Sequence, residues 1–129
     1  MKAAIVFILA IGFAGILAIS SSCNYDYFEP VVVIIPDTVS FSQDIMPIFD
    51  ESCNTSGCHV SGGVSPDLTL ASAWFELWIF GYIDTANATS SGLYQVMNSE
   101  SDPMPPNGKL PEDKVQLVLA WIEQGALDN

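Results

Sequence analysis

The stretch CNTSGCH sets Cys53 and Cys58 five positions apart, with His59, the chain's one histidine, directly after the second cysteine. Thiolates and imidazoles bind soft and borderline metals and anchor covalent cofactors, so three chemistries compete for this segment. A structural zinc site wants four ligands. Apart from Cys23 near the N-terminus, the chain offers two cysteines and one histidine, and a carboxylate would have to complete the set. A Cys53–Cys58 disulfide forms easily, with Gly57 easing the turn, but gives His59 no part. Covalent haem attachment uses all three residues: two thiols add across the porphyrin vinyl groups, and the following histidine reaches the iron. Its usual spacing is C-x-x-C-H; here the spacer is the four residues NTSG.

Haem iron with a proximal histidine often takes a methionine as its second axial ligand, supplied from far downstream. The stretch SDPMPPNGKLP places Met104 among Pro103, Pro105 and Pro106, which fix φ and keep the loop out of a helix. A methionine there is poorly explained as core filler, whereas Met46 and Met97 fall on helical segments and read as packing residues. The chain has no Gly-rich phosphate loop and no close pair of carboxylates with an obvious cleft. Its one histidine, taken up by iron, leaves no general base of the usual kind, so no enzymatic turnover is expected.

These residues need elements to hold them, and the apolar spacing predicts four helices. The first, DIMPIFDES, has Asp44 as its cap, Pro47 at the third helical position, and Ile45, Ile48 and Phe49 on one face. The second, LASAWFELWIFG, puts Leu70, Trp74, Leu77 and Trp78 on one side and is apolar enough to be buried or partly wrapped. In the third, SSGLYQVMNS, Leu93, Val96 and Met97 share a side. The fourth, LPEDKVQLVLAWIEQGA, starts at Pro111, carries Glu112 and Asp113 in its first turn, buries Val115, Val118, Leu119 and Ile122, and stops at Gly125. The expectation is an all-α domain with long loops at 59–69 and 100–110. It is small enough that a buried cofactor would supply missing apolar surface.

The N-terminus reads differently. Met1 and Lys2 precede an unbroken apolar run from Ala3 to Ile19, then Ser20, Ser21, Ser22 and Cys23. This has the layout of a secretory signal over 1–22. A cysteine after small residues at the signal's end resembles the lipobox of bacterial lipoproteins, which implies lipidation of Cys23 and an extracytoplasmic, membrane-anchored location; plain secretion or a retained anchor is the other reading. Residues 23–40 form a tether in which VVVII offers one short strand, and 41–129 form the folded domain. Beyond Cys23 the chain has Lys109 and Lys114 against fifteen carboxylates and no arginine. Nucleic acid is excluded as a partner, because phosphate binding needs a basic patch. The acidic surface either steers a basic protein partner or keeps the domain soluble.

Taken together, FSQDIMPIFDESC leading into CNTSGCH, then SGLYQVM, then MPPNGKLPEDKVQLVLAWIEQGA, resemble a class I, monohaem c-type cytochrome domain of the bacterial lipoprotein kind with an expanded Cys-His motif. The resemblance spans Phe41 to Ala126. It implies a small cytochrome c-like helical fold, haem c bound through Cys53 and Cys58, and iron ligated by His59 and Met104. It also implies that the first and last helices cross beside the haem near Phe49 and Trp121. The implied function is electron transfer to a redox partner protein, with no small-molecule substrate. Two other readings stand beside it: a haem-free binding lipoprotein with a Cys53–Cys58 disulfide, and a haem sensor or peroxidatic protein with a labile distal ligand.

Overall fold

The computed structural model describes residues 33–129, and every regular element among them is helical. The chain is all-α in this part. The expected signal segment, Cys23 and most of the tether lie outside the described residues.

Ser40 starts the fold. Its hydroxyl accepts from the Gln43 amide, and the Asp44 carboxylate accepts from the Ser40 amide at 2.8 Å. The cap is therefore Ser40 and not Asp44; the S-x-x-Q capping pattern of 40–43 marks it in sequence. From Ser40 the chain runs through a π-helical turn, Phe41–Ile45, into α1, Met46–Ser52. Pro47 thus lies well inside a continuous helix. The wider π turn suits it, because proline donates no hydrogen bond and its ring crowds the preceding turn.

The second helix, α2, spans Ala73–Ile79 and buries only Ala73 and Leu77. The helix is partly wrapped rather than buried: Leu70 precedes it and is 66% exposed, and Phe75, Ile79 and Phe80 face outward. Two indoles anchor α2 instead: Trp74 and Trp78 donate to the carbonyl of Ala126, at 2.8 and 3.3 Å. A 3-10 turn, Ala88–Ser90, leads to α3, Gly92–Met97, which buries Leu93 and Met97 and leaves Val96 exposed. The last helix, α4, spans Glu112–Glu123 with Pro111 as its cap residue rather than its first turn. Val115, Val118, Trp121 and Ile122 are buried, and Leu119 packs partly covered at their edge. Gly125, at φ +100°, closes the helix as its sequence position predicts.

The core sits where the π turn, α1 and α4 meet. Phe41 stacks on Trp121 with ring centroids 5.2 Å apart and meets Phe49 edge-on at 6.4 Å. Phe41 of the π turn thus touches both Phe49 and Trp121. Such aromatic pairs add about 1 kcal/mol each beyond area burial. The start and end of the domain are tied: the Phe41 amide donates to the Asn129 side chain, and the Ser42 amide to the Asn129 carbonyl. Val33 to Ile35 is coil rather than a strand; just beyond it, the Gln124 side chain donates to the Pro36 carbonyl and accepts from the Val39 amide. Val39 is buried, so the packed unit begins just before Phe41.

Candidate functional site

The two thiols and the imidazole come together at the end of α1. The Cys53 amide still bonds back to Phe49, and the spacer then folds on itself, with the Cys58 amide donating to Thr55 at 2.9 Å and Gly57 at φ +82°. Thr55, Ser56 and Gly57 bulge into solvent. The His59 amide donates to the Cys53 carbonyl at 3.1 Å, which closes the loop across the four-residue spacer. The long spacer is thus absorbed in an outward turn, and Cys53, Cys58 and His59 stay neighbours. Both cysteines are unbonded, partly covered thiols. Burial, and secondarily the charge of a Cys58 thiolate, pushes Cys53 up to about 11.

The His59 ring is held by main chain. Nδ1 lies 3.0 Å from the Pro66 carbonyl oxygen and 3.1 Å from that of Val64. Two carbonyls can only accept, so Nδ1 carries the proton and Nε2 is left with its lone pair, the form in which imidazole binds a metal. The supporting loop is tight. The Val64 amide donates to the Cys58 carbonyl, the Leu68 amide to the His59 carbonyl, and the Asn54 side chain to Asp50 and to the Leu68 carbonyl. Gly63 must be glycine: a Cβ there would lie 2.2 Å from the Cys58 carbonyl oxygen.

Met104 stands on the other long loop. Its amide donates to the Val96 carbonyl at 2.9 Å, and its side chain is 39% exposed. Met46 and Met97 are buried, which fits them as packing residues. No hydrogen bond joins Met104 to the Cys–His turn among the described residues. Lys109 pairs with Glu100 at 2.5 Å rather than standing free in solvent. Tyr94 accepts from Asn98 at 3.2 Å. Trp74 and Trp78 serve the Ala126 anchor and stand 6.2 Å apart.

The residues present suit a covalent haem. Two free thiols share a turn with a histidine held at Nδ1, and Val64 and Val96, whose carbonyls bond the His59 ring and the Met104 amide, carry exposed apolar side chains. Among the described residues no three His, Cys, Asp and Glu side chains converge as a bare metal ion would need. Two surface clefts lie elsewhere. One, of about 320 Å3, is lined by Val39, Trp121 and Gln124; the other, of about 260 Å3, by Ile48, Asp113 and Leu117. Among the described residues no helix is long and apolar enough to cross a membrane.

Sequence reasoning missed the carbonyls of Val64 and Pro66, and with them Gly63 and Glu76. Main-chain acceptors leave no side-chain signature; only the Gly62–Gly63 pair marks a tight turn there. No family model, no curated protein and no solved structure matches the chain.

Proposed function

We propose that this protein is an extracytoplasmic electron carrier, tethered to a membrane through lipidated Cys23, with one haem c. Cys53 and Cys58 would hold the haem as thioethers, and His59 Nε2 and the Met104 sulfur would be its axial ligands. The observation that carries this reading is the His59 ring, fixed at Nδ1 by two main-chain carbonyls within the same turn as two unbonded thiols. A disulfide would need no such orientation of the ring.

Bound haem supplies one-electron cycling between ferrous and ferric iron. The chain's own residues do the rest. The Pro66 and Val64 carbonyls orient His59 and raise its basicity as a ligand, as outer partners of metal-bound histidines do. Met104 would supply the second ligand to the iron, and a thioether there would raise the reduction potential. With both ligands in place, the iron would have no open site for a substrate. The acidic surface would favour a basic redox partner.

Expression with a c-haem maturation system tests this. The expected product is red, keeps its haem through denaturing electrophoresis, and shows low-spin spectra in both oxidation states. A colourless protein with a Cys53–Cys58 disulfide overturns the proposal.

A further inference from the structure

The Pro66–Asp67 peptide group does two things at once. Its carbonyl oxygen lies 3.0 Å from His59 Nδ1, and its N–H donates to Glu76 Oε2 at 2.5 Å. A carboxylate on α2 is thus linked to the imidazole through a single planar peptide group. Resonance couples the two ends: electron density pushed toward the carbonyl oxygen by a charged acceptor on the N–H makes that oxygen a better acceptor. The N–H···carboxylate bond is charge-assisted, and so of the stronger class.

The surroundings keep the link in register. Pro66 is buried and Glu76 half-buried, so water competes poorly at both ends. Asp67 does not compete for its own amide, because its carboxylate accepts instead from the Thr69 amide at 2.9 Å and the Thr69 hydroxyl at 2.6 Å. The α2 helix that presents Glu76 is pinned by buried Leu77 and by the two indoles on Ala126. Together these contacts aim one negative charge at the peptide that holds His59.

We infer that Glu76 is a positioning residue for His59 and tunes it electronically, giving the imidazole more anionic character through the Pro66–Asp67 peptide. Its effect on iron rests on the haem reading above; its effect on the ring does not. In the loaded protein, greater basicity at His59 stabilises ferric iron and holds the reduction potential below what the His–Met pair alone would set.

The test uses Glu76→Gln, which keeps an acceptor and removes the charge, Glu76→Ala, which removes both, and Glu76→Asp. Asp67→Asn serves as control, since it removes an equal charge next to the same peptide without touching the N–H bond. In the chain produced without a maturation system, the His59 Nδ1–H resonance should move upfield in Glu76→Gln. Its exchange with solvent should quicken by about twofold, because polarisation passed through one peptide changes the strength of the next bond by only about 10–30%. Glu76→Ala should go further and Glu76→Asp return toward the parent. In the haem-loaded protein the potential should rise in the same order while the melting temperature of Glu76→Gln stays near that of the parent.

An unmoved Nδ1–H resonance in both Glu76→Gln and Glu76→Ala overturns the inference. So does a shift as large in Asp67→Asn, which would reduce the effect to charge acting through space. If the parent takes up no haem, the haem proposal fails while the resonance measurement still decides the role of Glu76.

Discussion

His59 sits in a loop crossed by backbone bonds from Cys53, Cys58 and Leu68, clamped at its ring by two carbonyls and braced by Asn54 and Glu76. Met104 rests on one amide bond to Val96, on a loop of prolines whose one ion pair, Lys109 with Glu100, is solvent-facing. The difference has a physical basis. An imidazole must be aimed, because only one lone pair binds metal and ring rotation carries it away. A thioether sulfur on three rotatable bonds can find its partner from many starting positions. On the haem proposal, the preformed histidine side would capture the cofactor and the adaptable methionine side would complete the iron's ligand set.

The largest expected effect separates the two ligands. His59→Ala should cut the yield of haem-containing, low-spin protein roughly tenfold or more, since even losing an outer partner of a metal-bound histidine costs about that much. Met104→Ala should retain covalent haem, lose the methionine-to-iron band of the ferric spectrum, and bind carbon monoxide rapidly when ferrous. Equal haem loss in the two variants would break the comparison. An unchanged Met104→Ala spectrum would remove Met104 as a ligand.

Two glycines sharpen it next. In Gly63→Ala the new methyl meets the Cys58 carbonyl at 2.2 Å, so the turn must open; unfolding by denaturant should show a loss of about 2 kcal/mol or more. In Gly108→Ala, on the methionine loop, the Cβ meets open space and only the backbone at φ +141° resists, a loss of about 1 kcal/mol. Gly63→Ala should also lower haem yield, and Gly108→Ala should not.

Alkaline pH probes the cysteine end of the histidine side without haem. Burial raises the Cys53 thiol in the folded chain from 9.0 to about 11, so the unfolded chain ionises first as pH rises. Stability of the haem-free protein should therefore be steady below pH 9, fall by about 1–2 kcal/mol towards pH 11, and then level off. Cys53→Ser should flatten that slope in pH-dependent unfolding. A slope that survives the substitution would place its source elsewhere.

The sequence makes the helices legible where apolar spacing meets a cap: α4 and its Gly125 stop read directly, and the S-x-x-Q pattern marks Ser40, while Asp44 accepts from the Ser40 amide instead of capping. It is less plain where apolar residues lie on all sides of a helix, a pattern that fits a buried element as well as a partly wrapped one. The outward Phe75, Ile79 and Phe80 show that α2 is held by two indole hydrogen bonds rather than by its whole surface. At the candidate site, the residue types that ligate or attach are visible as letters, while those that aim them act through main-chain groups. Pro66 and Val64 contribute carbonyls any residue could offer, and Glu76 lies seventeen positions from His59 with no motif to join them.

The smallest effect belongs to the methionine loop's ion pair. The hydrogen bond to Glu100 raises the Lys109 pKa, so the pair contributes below the ordinary lysine value of 10.5 and is lost as pH climbs through the raised one. Glu100 is 85% exposed, and solvent and salt screen the interaction. Lys109→Ala should leave the melting temperature unchanged at physiological salt and lower it only marginally at low salt. If the methionine side truly adapts to its partner, the same substitution should leave the ferric methionine-to-iron band intact. Loss of that band would mean that the loop is aimed after all, by a surface charge pair, and that the two sides are built alike.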